Sequence, residues 1–350
     1  MIKPLPIKPW IFEFLYALTD QGGEAARQAP TAVFDKGIAL WQRLDELGFE
    51  GIFFSEHHFG LSYSPSPNLL IAAIARSTKR LRLGTMGVVL PLYQPWRVLE
   101  EIGMLDHLTG GRLEIGCASG VPQELIQTGI GPEENRGRFD ETLQILDAWL
   151  AEPVISHHGR YYNFDNLRVV PRPLQQPSPP KWTTVVSPAS AIKSAARRSK
   201  ICTAFESVTR IKEIFDAYRA EADRIGFVCG PDHLAIRRNV SIAVSAAEAQ
   251  ERSQMAREVA AKVLAGDPRV QQSSSLLDAP KPGGGFSVHA DEFIAGTPAQ
   301  VAEQIVAQCR TCGAGHFLAI LGRAVDEHRT RAVELFAEQV VPVLRRAEVV

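Results

Sequence analysis

The sequence predicts an α/β fold of the (β/α)8 class, a TIM barrel of parallel strands enclosed by helices. Short apolar stretches alternate with amphipathic helical stretches eight times along the 350 residues, and parallel strands need such helical crossovers. The stretch Leu81–Leu90 is rich in valine and leucine, as a strand buried on both faces is. No G-x-G-x-x-G follows the first strand, and no G-x-x-x-x-G-K-[ST] occurs. The doubly wound open sheet, which shares the alternation, therefore lacks its nucleotide fingerprints.

In order, Trp10–Leu18 reads as the first strand, Val33–Gly48 as an amphipathic helix and Gly51–Ser55 as the second strand. Helix Asn68–Ser77 precedes strand Leu81–Leu90. Helix Trp96–Leu108 stops at Thr109-Gly110-Gly111 before strand Leu113–Cys117. A loop leads into helix Arg138–Leu150. Residues 156–180 break the rhythm with a β-hairpin followed by the stiff, proline-rich PRPLQQPSPP. Strand Thr183–Val186, helix Pro188–Arg198, strand Ile201–Phe205 and helix Thr209–Ile225 resume it. Strand Ala235–Val244, helix Ala246–Ala265, strand His316–Leu321 and helix Thr330–Ala347 complete it. The expectation is one domain spanning 1–350. Between the seventh and eighth strands, residues 266–290 carry serine, proline and three consecutive glycines. A stretch of this kind over the active-site face of a barrel reads as a mobile lid.

Composition narrows the function classes. A net charge of −1 gives no overall attraction to nucleic acid or acidic lipid, and no apolar run reaches membrane-span length. The opening MIKPLPIKPWIFEF lacks a signal-peptide core, so a cytoplasmic location is expected. Five cysteines at irregular spacing do not form a disulfide framework. Cys309 and Cys312 make a CxxC near the end of the predicted helix Pro298–Thr311. A redox or zinc pair belongs elsewhere in a fold, so these read as reduced, inert thiols.

The informative run is Ser55-Glu56-His57-His58-Phe59, directly after the apolar Gly51–Phe54. It puts two imidazoles at the C-terminal end of a barrel strand, where this fold collects its chemistry, and imidazole exchanges protons readily near neutral pH. Adjacent strand residues face opposite ways, so His57 and His58 are poorly placed to share a metal. That weighs against a metal-dependent barrel hydrolase, and no metal site is expected. Gly84, Gly87, Gly116, Ala118 and Gly120 cluster at the ends of strands three and four. Small residues there permit tight turns or close approach of backbone.

Several segments together resemble the bacterial luciferase-like flavin monooxygenases: GFEGIFFSEHHF (48–59), TKRLRLGTMGVVLPLYQPWRVLEEIGMLDHLTGGRLEIG (78–116), ENRGRFDETLQILDAWL (134–150), VVSPASAIKSAARR (185–198) and GTPAQVAEQI (296–305). The resemblance implies a (β/α)8 barrel in which reduced FMN activates dioxygen to oxidise a small organic substrate. A separate NAD(P)H:flavin reductase would supply the reduced flavin, and a homodimer through helices near 68–108 is implied. It makes His57 the catalytic histidine and puts a non-proline cis peptide at Met86-Gly87 beneath the flavin ring. Arg138 becomes a phosphate ligand. Val186, Ser187, Pro188, Ser190 and Ala191 become cofactor contacts, joined by Ala118 and Ser119. Where the family carries Cys-Arg-Gly after strand four, this chain has Ala118-Ser119-Gly120, which removes a thiol and one phosphate-binding cation. Cys117, one position earlier, should face elsewhere. Phe14, Phe53, Phe59, Trp182 and Phe205 are candidate substrate walls. Alternatives of the same ancestry are a non-catalytic flavin-binding subunit and a deazaflavin-dependent oxidoreductase.

Overall fold

The computed structural model describes residues 4–15, 24–59, 62–265, 288–322 and 326–350. Eight parallel strands carry the architecture: β1 Lys8–Glu13, β2 Gly51–Phe54, β3 Arg82–Thr85, β4 Leu113–Ala118, β5 Lys181–Thr184, β6 Lys200–Thr203, β7 Leu234–Ile242 and β8 His316–Ile320. Each pairs with its neighbour in sequence, β8 pairs with β1, and the sheet closes. This is the predicted (β/α)8 barrel. The helices follow as α1 Glu24–Leu47, α2 Pro67–Ala75, α3 Pro95–Leu108, α4 Pro122–Gln127, α5 Pro132–Ala151, α6 Pro188–Ala196, α7 Val208–Arg224, α8 Ala246–Ala265, α9 Pro298–Cys312 and α10 Glu327–Leu335.

Several boundaries differ from expectation for local reasons. The first strand begins at Lys8 and ends at Glu13, earlier than read: Glu13 Oε1 accepts from Leu15 N–H at 2.9 Å, and Leu15 turns at φ 48°. The third strand is not continuous to Leu90. It stops at Thr85, a cis Met86–Gly87 peptide intervenes, and Val88–Val89 then pairs with the end of β4. Helix α5 starts at Pro132 rather than Arg138, with Glu133 and Glu134 in its first turn, where acidic residues favour the helix dipole. The closing helix breaks at a π-helical turn over Phe336–Val340. A short strand, Phe293–Gly296, pairs with the upper half of β7 and was not foreseen. In the hairpin the strands are Ile155–His158 and Asn163–Leu167. Most of the expected lid, 266–287, lies outside the described residues, and so does its expected mobility.

Side chains fill the barrel. Trp10 stacks on Phe53 with centroids 4.7 Å apart, and Trp182 meets Phe53 edge-on at 5.4 Å. Phe53 and Trp182 are fully buried members of this inner cluster, together with Phe12, Phe14, Met86, Leu318 and Ile320. Phe53 and Trp182, with almost no exposed surface, are core beneath the mouth and not substrate walls, correcting the expectation for these two. A larger outer cluster packs the sheet against the helices, and Cys117 belongs to it. That thiol faces away from the barrel interior as expected, and burial pushes its pKa up to about 12. Cys309 and Cys312 are buried, unpaired and raised by burial, consistent with inert thiols.

At the floor, His316 Nδ1 accepts a hydrogen bond from Trp10 Nε1 at 2.9 Å, and Nε2 faces the Asp232 carbonyl at 3.0 Å. Burial lowers the imidazole pKa to about 4. The unfolded chain therefore binds a proton on this group before the folded one does. Stability present above pH 6.5 should be lost progressively as pH falls toward 4, by about 3 kcal/mol for this group. Chemical denaturation at pH 7.5 and 4.5 checks it: His316→Asn should flatten the acid limb, and an unchanged limb would refute the assignment.

Candidate active site

The segment leaving β2 is fixed before it reaches the mouth. Ser55 N–H donates to the Glu13 carbonyl at 2.9 Å, and Ser64 Oγ donates to the Ser55 carbonyl at 2.6 Å. Glu56 then turns into the barrel wall, where it is buried. Its carboxylate accepts from Val89 N–H at 3.1 Å, Tyr93 Oη at 3.1 Å and His58 Nε2 at 2.8 Å. The hydrogen bond to Glu56 raises the His58 pKa, and burial keeps the Tyr93 hydroxyl protonated. Glu56 ties the exit of β2 to the segment after the cis peptide.

His57 stands apart from this clamp. Its N–H donates to the Ser64 carbonyl at 3.2 Å, and its ring stacks on Phe14 at 5.4 Å with planes 21° apart. Nδ1 lies 2.8 Å from Glu124 Oε1. The side chain keeps 27% of its surface exposed, and Nε2 makes no hydrogen bond among the described residues. In the neutral ring, donation of Nδ1–H to a carboxylate selects the tautomer that leaves Nε2 as an acceptor. The two histidines thus serve different carboxylates. Among the described residues no group of three or more His, Cys, Asp or Glu is disposed to hold a metal.

Glu124 escaped the sequence reading because 67 positions separate it from His57. It sits in the first turn of α4, a six-residue helix opened by Pro122. Proline at the first helical position followed by glutamate is a helix-start signal, and it was available.

Met86 lies in the inner cluster, and the Met86–Gly87 peptide is cis, as the resemblance implied. The glycines around it serve the protein. A Cβ on Gly87 would lie 2.7 Å from Cys117 backbone, one on Gly116 would overlap the Thr85 carbonyl, and one on Gly120 would meet Val89 Cγ1 at 2.7 Å. A Cβ on Gly84 would strike the Phe53 ring. At these four positions the packing of neighbouring protein atoms by itself excludes a side chain. Ala118 closes β4 opposite Val89, and Ser119 follows it half-buried.

Arg138 lies two turns into α5. Its Nη2 pairs with Glu134 at 2.5 Å and its Nη1 donates to the Pro91 carbonyl at 3.3 Å, while Nε is buried without a partner. Helix α6 opens with a capping box in which Ser190 Oγ donates to the Ser187 carbonyl at 2.8 Å and Ser190 N–H donates to Ser187 Oγ at 3.3 Å. Val186 is exposed and Pro188 half-buried at this rim. Ala191 is fully buried with its N–H already bonded to the Ser187 carbonyl, so it has nothing to offer a ligand. Helices α5 and α6 are adjacent, joined by Lys193 and Asp140.

A closed barrel with a carboxylate-held imidazole at its C-terminal mouth defines the class: a (β/α)8 protein with its site at the customary end. A profile of the family described as luciferase-like monooxygenase matches residues 12–316. The chain belongs to that family of oxidoreductases. An uncharacterised protein of Sinorhizobium fredii is 35% identical over 253 residues, covering 71% of this chain and 72% of that one. The oxygenase component of a flavin-dependent trigonelline monooxygenase from Acinetobacter baylyi is 34% identical over 169 residues, 47% of this chain and 46% of the other. The oxygenating constituent of 3,6-diketocamphane monooxygenase from Pseudomonas putida, solved with FMN, superposes with a TM-score of 0.76. It covers 97% of this chain and 99% of that one at 22% identity, a likeness of fold. No helix among the described residues is long and apolar enough to cross a membrane.

Proposed function

We propose that this chain is the oxygenating component of a two-component flavin monooxygenase that oxidises a small organic substrate. The observation that carries the reading is His57, held at Nδ1 by Glu124 with Nε2 open at the barrel mouth. The named relatives, a flavin-dependent oxygenase component among them, support it.

The residues fit FMN. The buried, unpartnered Nε of Arg138 is a donor with no protein acceptor, as a phosphate ligand would be before loading. The start of α6 offers a dipole of matching sign, and its two serines already form a cap that holds it in place. Ser119, in place of a cation, adds one neutral donor. The ring would rest against the Met86–Gly87 segment. When bound, reduced FMN supplies the electrons that activate dioxygen, one oxygen atom going to the substrate and the other to water. The protein's share is to orient substrate against His57, to accept or return a proton at Nε2, and to keep water out with the aromatic floor.

Anaerobic titration with reduced FMN and with reduced deazaflavin F420 tests the cofactor. The reading expects tight binding of reduced FMN that weakens at least tenfold in Arg138→Met. On mixing with oxygen, bound flavin should reoxidise in two resolved steps. Binding of F420 alone would overturn the FMN assignment, and reoxidation identical to free flavin would overturn the oxygenase assignment in favour of a non-catalytic subunit.

A further inference from the structure

Inside the barrel, next to the His57 site, a guanidinium sits in an arrangement that the flavin reading leaves unused. Alternation along β7 points Ala235 and Arg237 inward, while Arg238 points outward to Gln308 and the Glu206 carbonyl. The Arg237 guanidinium carbon lies 4.3 Å from the Phe205 ring centre, 5.1 Å from Phe12 and 5.4 Å from Phe14. Phe14 is also the ring on which His57 stacks, so Arg237 and His57 flank one aromatic side chain.

The cation is incompletely matched. Among the described residues its one ion pair runs from Nη2 to Glu292 Oε1 at 3.2 Å. Glu292 is shared: Oε1 also accepts from Asn239 at 2.9 Å, and Oε2 accepts from Arg238 Nη1 at 3.0 Å and Phe205 N–H at 2.7 Å. Two buried guanidinium groups thus divide one carboxylate whose oxygens are already engaged. Arg237 Nε is buried without any acceptor, in a side chain only 6% exposed, and Nη1 makes no hydrogen bond among the described residues. An unsatisfied donor and an excess positive charge in an apolar setting are both costly, and they persist where a ligand completes them.

Phe205 adds an independent sign. Its φ is 71°, a left-handed conformation that a bulky residue adopts only where its surroundings enforce it. Here Glu292 takes its N–H, and its carbonyl accepts from His289 N–H at 2.7 Å. Both bonds hold the ring over the guanidinium. Outliers of this kind concentrate at ligand clamps.

We propose that Arg237, with Phe14 and Phe205, is the substrate-reading subsite, and that it takes a carboxylate carried on a flat apolar or aromatic body. The guanidinium donates Nε–H and Nη1–H to the planar anion, the geometry for which arginine is suited. The rings cover the body, which is thereby presented toward His57, since Phe14 contacts both the guanidinium and the imidazole. This assignment rests on the flavin-monooxygenase reading for its purpose, and its binding test does not need flavin.

Benzoate and benzamide, flat molecules of matched shape that differ in charge, are the probes. Titration calorimetry on the full chain at pH 7.5, with and without FMN, should give benzoate at least tenfold tighter binding than benzamide. The preference should fall to near unity in Arg237→Met and survive in part in Arg237→Lys. Equal affinities in the wild-type protein, a comparison needing no variant, would overturn the proposal. So would a benzoate preference that outlasts Arg237→Met. Arg237→Met should leave reduced-FMN affinity within threefold. Parallel loss of flavin and benzoate would reassign the cation to the cofactor, whereas loss of flavin binding in the wild type with benzoate preference intact would sink the flavin reading alone.

Discussion

Replacing His57 by alanine should lower substrate-coupled oxygen consumption by about 10²–10⁴-fold, the range general acid–base catalysis contributes. The loss should fall on kcat, because the imidazole lies at the mouth and Phe14, which packs on it, keeps its other contacts. Glu124→Gln tests the positioning role separately. An amide oxygen can still accept from Nδ1, but its NH2 group competes for the same place, so the ring loses its fixed tautomer. The expected effect is intermediate, about tenfold. The two substitutions combined should cost little more than His57→Ala alone, because Glu124 acts through the imidazole. Oxygen uptake and product yield, measured with reduced FMN and aromatic carboxylates as trial substrates, give the readout. A His57→Ala protein that keeps more than half of its coupled turnover would remove the imidazole from the chemistry.

The largest stability effect is expected at Glu292. Its side chain is fully buried and holds Arg237, fully buried Arg238, Asn239 and the Phe205 backbone. Glu292→Gln removes the carboxylate that, among the described residues, pairs with both guanidinium groups, and breaking a buried pair from one side costs about 3–5 kcal/mol. Urea denaturation at pH 7 should show this as a lower midpoint. The exposed pair His158–Asp165 on the hairpin, whose side chains are 65% and 68% exposed, provides the contrast. There Asp165→Asn should leave the midpoint where it was, since solvent screens such pairs. A Glu292→Gln midpoint equally unmoved would mean that the network carries no net charge imbalance.

How much of this was legible depends on the range over which each feature is specified. The cis Met86–Gly87 peptide and His57 were found because they lie inside one continuous segment whose pattern matched a family. Cys117 could be turned away from the mouth by counting positions along one strand, and it does pack in the outer layer. Glu124 was missed although its helix start was written locally, because a helix start does not say which imidazole its carboxylate will reach. Phe53 and Trp182 were misjudged as walls since period-two alternation says which residues face inward but not how deep they lie. Depth comes from the tilt and stagger of closed strands, which only the assembled barrel sets.

Taken alone, the chain determined that eight buried strands would alternate with helices and close, and that an imidazole would stand at the end of the second. Both follow from short-range patterns of apolarity and from the steric rule that parallel strands need crossovers. Tertiary structure decided the partners: Glu124 on His57, Phe14 in contact with both His57 and Arg237, and one carboxylate at 292 shared by two arginines. These groups come from segments far apart in sequence, and hydrogen bonds and ion pairs act only over a few ångströms. Their chemistry therefore exists once the barrel has brought the strand ends to a common rim.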